Sequence, residues 1–271
     1  MKEKFEVEYS ELVSLPVDKS KFLSVWSKVG DNTNNSWQHI IEINHKYVSF
    51  LLSETSKYFD LDEIKVVFDV GSLNGIESVY FSQLLPKSKV YSFEANPDSV
   101  LLVESNQKDY PNIKCINKAI SDKEGSDIVF YLPKDNIGAA SLLKPIGGLA
   151  GSVFTTINVD VTTIEKFSIE NNIDKIDILW MDLQGNELNA FKGMGDMLHN
   201  VKIICSEVGL IPYYENHTLY NEIYDYLKIY GFEKSETIYP FDYSIYQASS
   251  YEKDFVFINK RLYEKQKNKK V

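Results

Sequence analysis

Val66-Val67-Phe68-Asp69-Val70-Gly71-Ser72-Leu73-Asn74-Gly75 is an apolar, β-rich run that closes on an acid and then on two glycines set for a tight turn. It reads as a cofactor loop. The next apolar run, Lys89-Val90-Tyr91-Ser92-Phe93, ends in Glu94-Ala95-Asn96-Pro97. A second acid therefore stands at the next strand tip, where a carboxylate can grip two ribose hydroxyls. Together the two tips point to a nucleoside ligand.

Which nucleoside follows from the glycine positions. A dinucleotide loop needs G-x-G-x-x-G, whose middle glycine lets the backbone approach a pyrophosphate at a helix N-terminus. Leu73 fills that position, and the spacing is D-x-G-x-x-x-G. Asp69 before the loop would repel a pyrophosphate and attract an ammonium. S-adenosylmethionine carries that ammonium and no phosphate. The cofactor set expected from the two tips is Asp69, Gly71, Ser72, Asn74 and Gly75 with Glu94, Ala95 and Asn96. For the loop taken alone, a generic strand-to-helix turn capped by Asp69 stays open.

Further apolar strand candidates follow at 112–117, 176–181 and 201–206, after those at 65–70 and 88–93, with helix-sized segments between them. That alternation is the signature of a parallel sheet covered on both faces, which binds ligands beyond its strand C-termini. Segments 126–132 and 154–161 alternate as extended pieces around a glycine-rich stretch holding Gly138, Gly147, Gly148 and Gly151, an insertion over about 124–162. The stretch is either a flexible loop or a lid. Segments 232–239 and 254–258 form a terminal antiparallel pair. Residues 1–62 lack strand signals and carry helical-period apolar positions from Trp37 to Phe59, a helical extension before a domain at 63–260. Residues 261–271 form a charged tail, expected to be solvated and frayed.

A formal charge of −10, from 29 basic and 39 acidic residues, argues against a polyanion-binding surface such as nucleic acid requires. Cys115 and Cys205 sit in strand-like runs and are expected as reduced core residues, without metal-ligand spacing. The N-terminus has no signal-peptide pattern and no apolar run is long enough to span a bilayer, so the expected location is cytoplasmic.

With these residues in place, the chain resembles the FkbM-type family of S-adenosylmethionine-dependent methyltransferases over about residues 65–235. The carriers are the Asp69–Gly75 loop, Phe93-Glu94-Ala95-Asn96-Pro97, Ala119-Ile120-Ser121-Asp122, Ser141-Leu142, Asp182-Leu183-Gln184-Gly185-Asn186-Glu187 and Glu207. The resemblance implies an α/β, Rossmann-like doubly wound sheet of the class I methyltransferase type, seven strands with the last antiparallel. It also implies methyl transfer, usually to oxygen of a sugar or natural product. Gln184 stands where the family commonly has an acid, which puts that acid's role in question here.

Ala119, Ile120 and Asp122 would flank the adenine, with an ordinary turn as the equal alternative. Asp182, after the fourth strand, would project toward the methyl group and is the first catalytic candidate. Glu207 stands at the neighbouring tip. The two acids would share a Mg²⁺ that binds acceptor hydroxyls, or Glu207 alone would be the base, or both would pair with Lys192 or helix N-termini. His217 is the third catalytic candidate, a loop histidine able to titrate near neutrality. Tyr213, Tyr214 and Tyr243 could stack on a sugar ring, whereas the tyrosines at 220, 224 and 230 have helical spacing and suit packing.

The reading favoured is an O-methyltransferase acting on a sugar hydroxyl of a glycan or glycosylated metabolite. A methyltransferase of a small non-sugar metabolite and an inactive cofactor-binding module are the alternatives. Trp26, Trp37 and Phe50 in the extension either build a homodimer or cover the chain's own core.

Overall fold

The computed structural model describes residues 7–17, 34–134, 137–146, 153–237 and 252–269. A short helix, α1 (Tyr9–Ser14), is followed by the long α2 (Asn34–Ser56). The α/β alternation then begins with β1 (Val66–Val70), α3 (Ile76–Leu84), β2 (Lys89–Glu94), α4 (Pro97–Gln107) and β3 (Ile113–Asn117). An inserted layer holds β4 (Ala119–Ile120), β5 (Gly125–Pro133) and β6 (Phe154–Thr162). The main layer resumes with α5 (Ile164–Glu170), β7 (Ile176–Met181), α6 (Glu187–Lys192), β8 (Val201–Gly209) and α7 (Tyr220–Ile229). It closes with β9 (Phe232–Lys234), β10 (Glu252–Asn259) and α8 (Lys260–Lys269).

The main sheet has seven strands in the order β3-β2-β1-β7-β8-β10-β9. β10 runs antiparallel to both of its neighbours, and the other pairings are parallel. The five strands from β3 to β8 are the runs read from the sequence; the inner four are nearly continuous apolar runs because they are buried on both faces, while the edge strand β3 exposes Lys114 and Asn117. The register sets the tips of β1 and β7 side by side, with Val70 opposite Met181.

Each face of the sheet has its own core. On one face α2 and α3 pack Val48, Leu51, Leu52, Tyr80 and Phe81 against Val67, Ile178 and Ile203. On the other, Phe167, Phe191 and Leu227 pack against Phe68, Leu179 and Ile204. The described part of the N-terminal segment, residues 7–17 and 34–62, thus packs on the sheet as part of this core. Phe50 is buried, and the Tyr80 hydroxyl donates to the Ile41 carbonyl at 2.7 Å while its ring stacks on His45 at 5.1 Å. Phe50 therefore covers this chain's own core, while the side chains of Trp26 and Trp37 lie outside the described residues.

The inserted layer pairs β5 and β6 as the expected hairpin and adds the two-residue β4, parallel to β6. Isolated bridges join Tyr131 to Ser141 and Pro145 to Tyr214, tying the insertion back to the loop after β8. Gly147, Gly148 and Gly151 lie outside the described residues, as does Tyr243. The C-terminal segment is corrected from a frayed tail to α8. Asn259 Oδ1 accepts the Leu262 N–H at 3.1 Å, an N-terminal cap, and Tyr263 packs edge-on against Tyr58 and Phe59. On α7, Tyr220 and Tyr224 pack on Phe255 and Phe257 as their spacing suggested. Neither Cys115 nor Cys205 is in a disulfide. Among the described residues no helix is long and apolar enough to cross a membrane.

Candidate active site

The tips of β1, β2 and β7 are pinned together by backbone alone. The N–H groups of Gly71 and Ser72 both donate to the Phe93 carbonyl at 3.0 Å, and the Asp182 N–H donates to the Val70 carbonyl at 2.9 Å. Gly71 turns at φ +84°, and a Cβ there would sit 1.8 Å from the Asp182 carbonyl oxygen. Only glycine allows two strand tips this close. Leu73 also adopts a left-handed φ of 49°, and its N–H reaches the Glu94 carboxylate at 2.8 Å. The other oxygen of Glu94 accepts the Asn96 N–H at 2.7 Å. One buried acid thus fixes both loops, and its burial pushes its pKa up to about 7.

Above these tips lies a narrow cleft of about 80 Å³, concave and lined mostly by apolar groups as small-molecule sites are. The β1 and β2 tips contribute Gly71, Leu73, Glu94 and Ala95; β4 contributes Ala119 and Ile120, and β7 contributes Asp182 through its tip. Lys118, Phe130, Leu142, Leu183 and Asn186 line it too and were not anticipated as lining residues. Phe130 is buried where the four residues before it in β5 are exposed, a difference the sequence did not show because Ile128 and Val129 beside it are apolar too. Leu142 reaches the cleft because the insertion folds back over it.

Several anticipated cofactor residues do not line the cleft. Asp69 alternates with Val70 along β1 and so turns to the face that α3 covers, where the Ser78 hydroxyl donates to it at 2.5 Å. It is 1% exposed, and desolvation raises its pKa to about 7. Ser72 is buried with its hydroxyl on the Phe93 carbonyl, and Asn74 accepts the Ile76 N–H at the start of α3. Gly75 is the left-handed residue that opens α3, and Asn96 caps α4 through the Asp98 N–H. These four shape the loops from behind. Asp122 is exposed on the turn after β4, because its neighbour's carbonyl packs where a Cβ of Gly193 would be.

The Asp182-to-Glu187 turn organises itself. Glu187 accepts the N–H groups of Leu183 and Gly185 at 2.9 and 3.1 Å, and Asn186 donates to the Ile120 carbonyl at 3.1 Å. Gln184, at a left-handed φ of 51°, directs its amide nitrogen to Asp182 at 2.8 Å and to Glu207 at 2.7 Å. The two candidate acids are therefore together, and they bond to this amide rather than to Lys192. Burial raises the pKa of Asp182; burial and the Asp182 charge raise Glu207 well above its ordinary value. Among the described residues no group of three or more His, Cys, Asp and Glu side chains is arranged to hold a metal ion. The amide N–H₂ is set between the two acids, at the place where a Mg²⁺, one of the three arrangements open in the sequence, would sit.

His217 does not line the cleft. It is buried with its ring against the backbones of Gly185 and Gly209, and its Nδ1 accepts the Tyr213 N–H at 3.1 Å. The neutral ring then carries its hydrogen on Nε2, which faces Gly209, and burial lowers its pKa. That ring cannot serve as a base toward the cleft. Tyr214, expected as a sugar platform, is buried, its one hydroxyl hydrogen shared between two acceptors, the Ala139 carbonyl at 2.9 Å and Gln184 Oε1 at 3.2 Å.

A family model described as the methyltransferase FkbM domain matches residues 69–234. The 2-O-methyltransferase NoeI of Sinorhizobium fredii (strain NBRC 101917 / NGR234) is 25% identical over 173 residues, covering 60% of this chain and 70% of that protein. Among solved structures, a methyltransferase FkbM from Methylobacillus flagellatus KT aligns with a TM-score of 0.45 and 11% identity. The alignment spans 88% of this chain and 57% of that one. Magnesium protoporphyrin IX methyltransferase from Synechocystis PCC 6803 aligns at 0.47 and 13%, over 93% and 98% of the two chains.

Proposed function

The chain belongs to the FkbM family of S-adenosylmethionine-dependent methyltransferases, and from that premise we propose that it methylates a hydroxyl oxygen of a sugar, in a glycan or a glycosylated metabolite. The observation that carries the acceptor chemistry is the Asp182–Glu207 pair at the β7 and β8 tips, beside the cleft. The similarity to a 2-O-methyltransferase supports oxygen as the atom methylated.

The residues fit the cofactor. Glu94 keeps lone pairs beyond its two backbone bonds for ribose hydroxyls, and the Gly71 turn leaves room for a ligand beside Asp182. Ala119, Ile120, Phe130 and Leu142 form the apolar walls suited to a purine. Bound there, S-adenosylmethionine supplies a methyl carbon on a good sulfonium leaving group. The protein's part is chiefly alignment of an acceptor oxygen in line with that carbon and sulfur. The Asp182–Glu207 pair would accept the proton of the acceptor hydroxyl as its oxygen takes the methyl group, the sulfonium leaving as a neutral thioether. Buried carboxyls with raised pKa values hold a proton near neutrality better than exposed ones.

Calorimetry with S-adenosylhomocysteine, followed by a radiolabelled-methyl screen of sugar nucleotides, oligosaccharides and non-sugar metabolites, tests this reading. Micromolar binding with label incorporated into a sugar hydroxyl is expected. Binding with label only in non-sugar acceptors would overturn the sugar assignment, and a folded protein that binds no adenosyl ligand would overturn the use of the cleft.

A further inference from the structure

The amide of Gln184 is held from both ends. Its Nε2 lies 2.8 Å from Asp182 Oδ1 and 2.7 Å from Glu207 Oε2, while its Oε1 meets the Tyr214 hydroxyl at 3.2 Å. In this orientation the amide nitrogen faces both acids and the amide oxygen faces a hydroxyl donor. The backbone beneath is fixed as well, since the Ser141 hydroxyl donates to the Gln184 carbonyl at 2.9 Å in spite of the left-handed φ. A side chain restrained at its tip, its carbonyl and its φ is a positioned group, and strain of this kind collects at functional sites.

The place that Nε2 occupies is the place a cation shared by the two acids would need, nearly equidistant from one oxygen of each. Mg²⁺ asks for oxygen ligands at about 2.0–2.1 Å in octahedral array. An N–H₂ directed at both acids presents partial positive charge there and blocks the approach. We infer that Gln184 substitutes for a divalent cation in this chain: its amide, oriented by Tyr214, holds Asp182 and Glu207 together, and the acid pair works without bound metal. Gln184 is thus a positioning residue, and Tyr214 and Ser141 link it to the insertion that roofs the cleft. The inference rests on the methyltransferase reading for its catalytic meaning, but the cation claim can be tested without an acceptor.

The experiment is Mn²⁺ binding, followed by electron paramagnetic resonance, on the wild-type chain and on Gln184→Glu and Gln184→Ala, with S-adenosylhomocysteine affinity measured on the same samples. Gln184→Glu supplies a third carboxylate, and Gln184→Ala opens the space without adding a ligand. The wild type is expected to leave the Mn²⁺ signal unchanged. Gln184→Glu is expected to bind at least about tenfold more tightly, a difference near 1.4 kcal/mol, with Gln184→Ala between the two. Wild-type binding as tight as either variant, or no gain in both folded variants, would overturn the inference while leaving the cofactor reading intact. Loss of S-adenosylhomocysteine binding by the wild type would strike the cofactor reading and leave the cation result standing by itself.

Discussion

Replacing Gly71 with alanine drives a methyl group into the β7 tip. The added Cβ would stand 1.8 Å from the Asp182 carbonyl oxygen, so reaching ordinary contact means parting β1 and β7 by about 1.5 Å. That separation breaks the 2.9 Å bond from the Asp182 N–H to the Val70 carbonyl. The left-handed φ of 84° adds roughly 1–2 kcal/mol for a residue with a Cβ. Forcing a closely packed contact apart adds roughly 1–3 kcal/mol, for a total of about 2–5 kcal/mol. At about 2–4 °C per kcal/mol for a domain of this size, Tm should fall by about 4–20 °C. Gly75→Ala is the control, because it has a similar φ of 74° but its Cβ would meet only Val103 side-chain atoms at 3.3 Å. It should cost about 1–2 kcal/mol, the conformational part alone. Thermal unfolding and S-adenosylhomocysteine calorimetry on both variants decide the matter. Equal Tm losses, or a Gly71→Ala protein that binds as the wild type does, would refute the argument that backbone proximity at this tip shapes the cleft.

Glu94→Ala should weaken S-adenosylhomocysteine by tenfold or more. It should also cost about 1–3 kcal/mol for each of the Leu73 and Asn96 N–H groups left without a partner, read by calorimetry and denaturant unfolding. Lys202→Met removes one half of a buried pair, 2.8 Å from Asp177 on the far side of the sheet from the cleft tips. It should destabilise by about 3–5 kcal/mol with ligand affinity unchanged, and a parallel loss of affinity would contradict it. Burial raises Asp69 and Glu94 to about 7 and Glu187 to about 8. Because the fold holds these protons more tightly than the unfolded chain, their contribution is full below the ordinary carboxyl pKa and is lost as pH rises through about 7–8. Tm of the ligand-free chain should therefore fall between about pH 5 and pH 8.5, with His217, whose pKa is lowered, opposing the gain at the acid end. A flat or rising Tm profile over that range would refute it.

Much of the fold was written in the chain because parallel strands covered on both faces have to be continuous apolar runs. The acids and glycines that end those runs at Gly71, Glu94, Asp182 and Glu207 mark where the sheet stops and a ligand site can begin. The roles behind the tips were harder to read. Asp69 and Gly71 stand two residues apart in one motif, yet strand alternation sends the Asp69 side chain under α3 while the turn opens at Gly71. The period of two was available in the sequence, but motif spacing outweighed it. Residues 260–269 looked like a solvated tail because charge dominates their composition. The Tyr263 ring and the Asn259 cap recruit them into a helix, and both need partners distant in sequence.

By itself the sequence determined the sheet, its tips and the class of cofactor chemistry, since each depends on local order along the chain: apolar runs, turn glycines, an acid at a strand end. Only the tertiary structure decided the content of the catalytic corner. Gln184 looked like a lost acid, and became a bridge between Asp182 and Glu207 once β7 and β8 lay side by side with Tyr214 brought in behind. His217 looked like a base, and is a packing residue against two glycines on different segments. A hydrogen-bonding side chain takes its role from whichever groups long-range packing sets within about 3 Å of it, and that distance is not encoded in sequence separation.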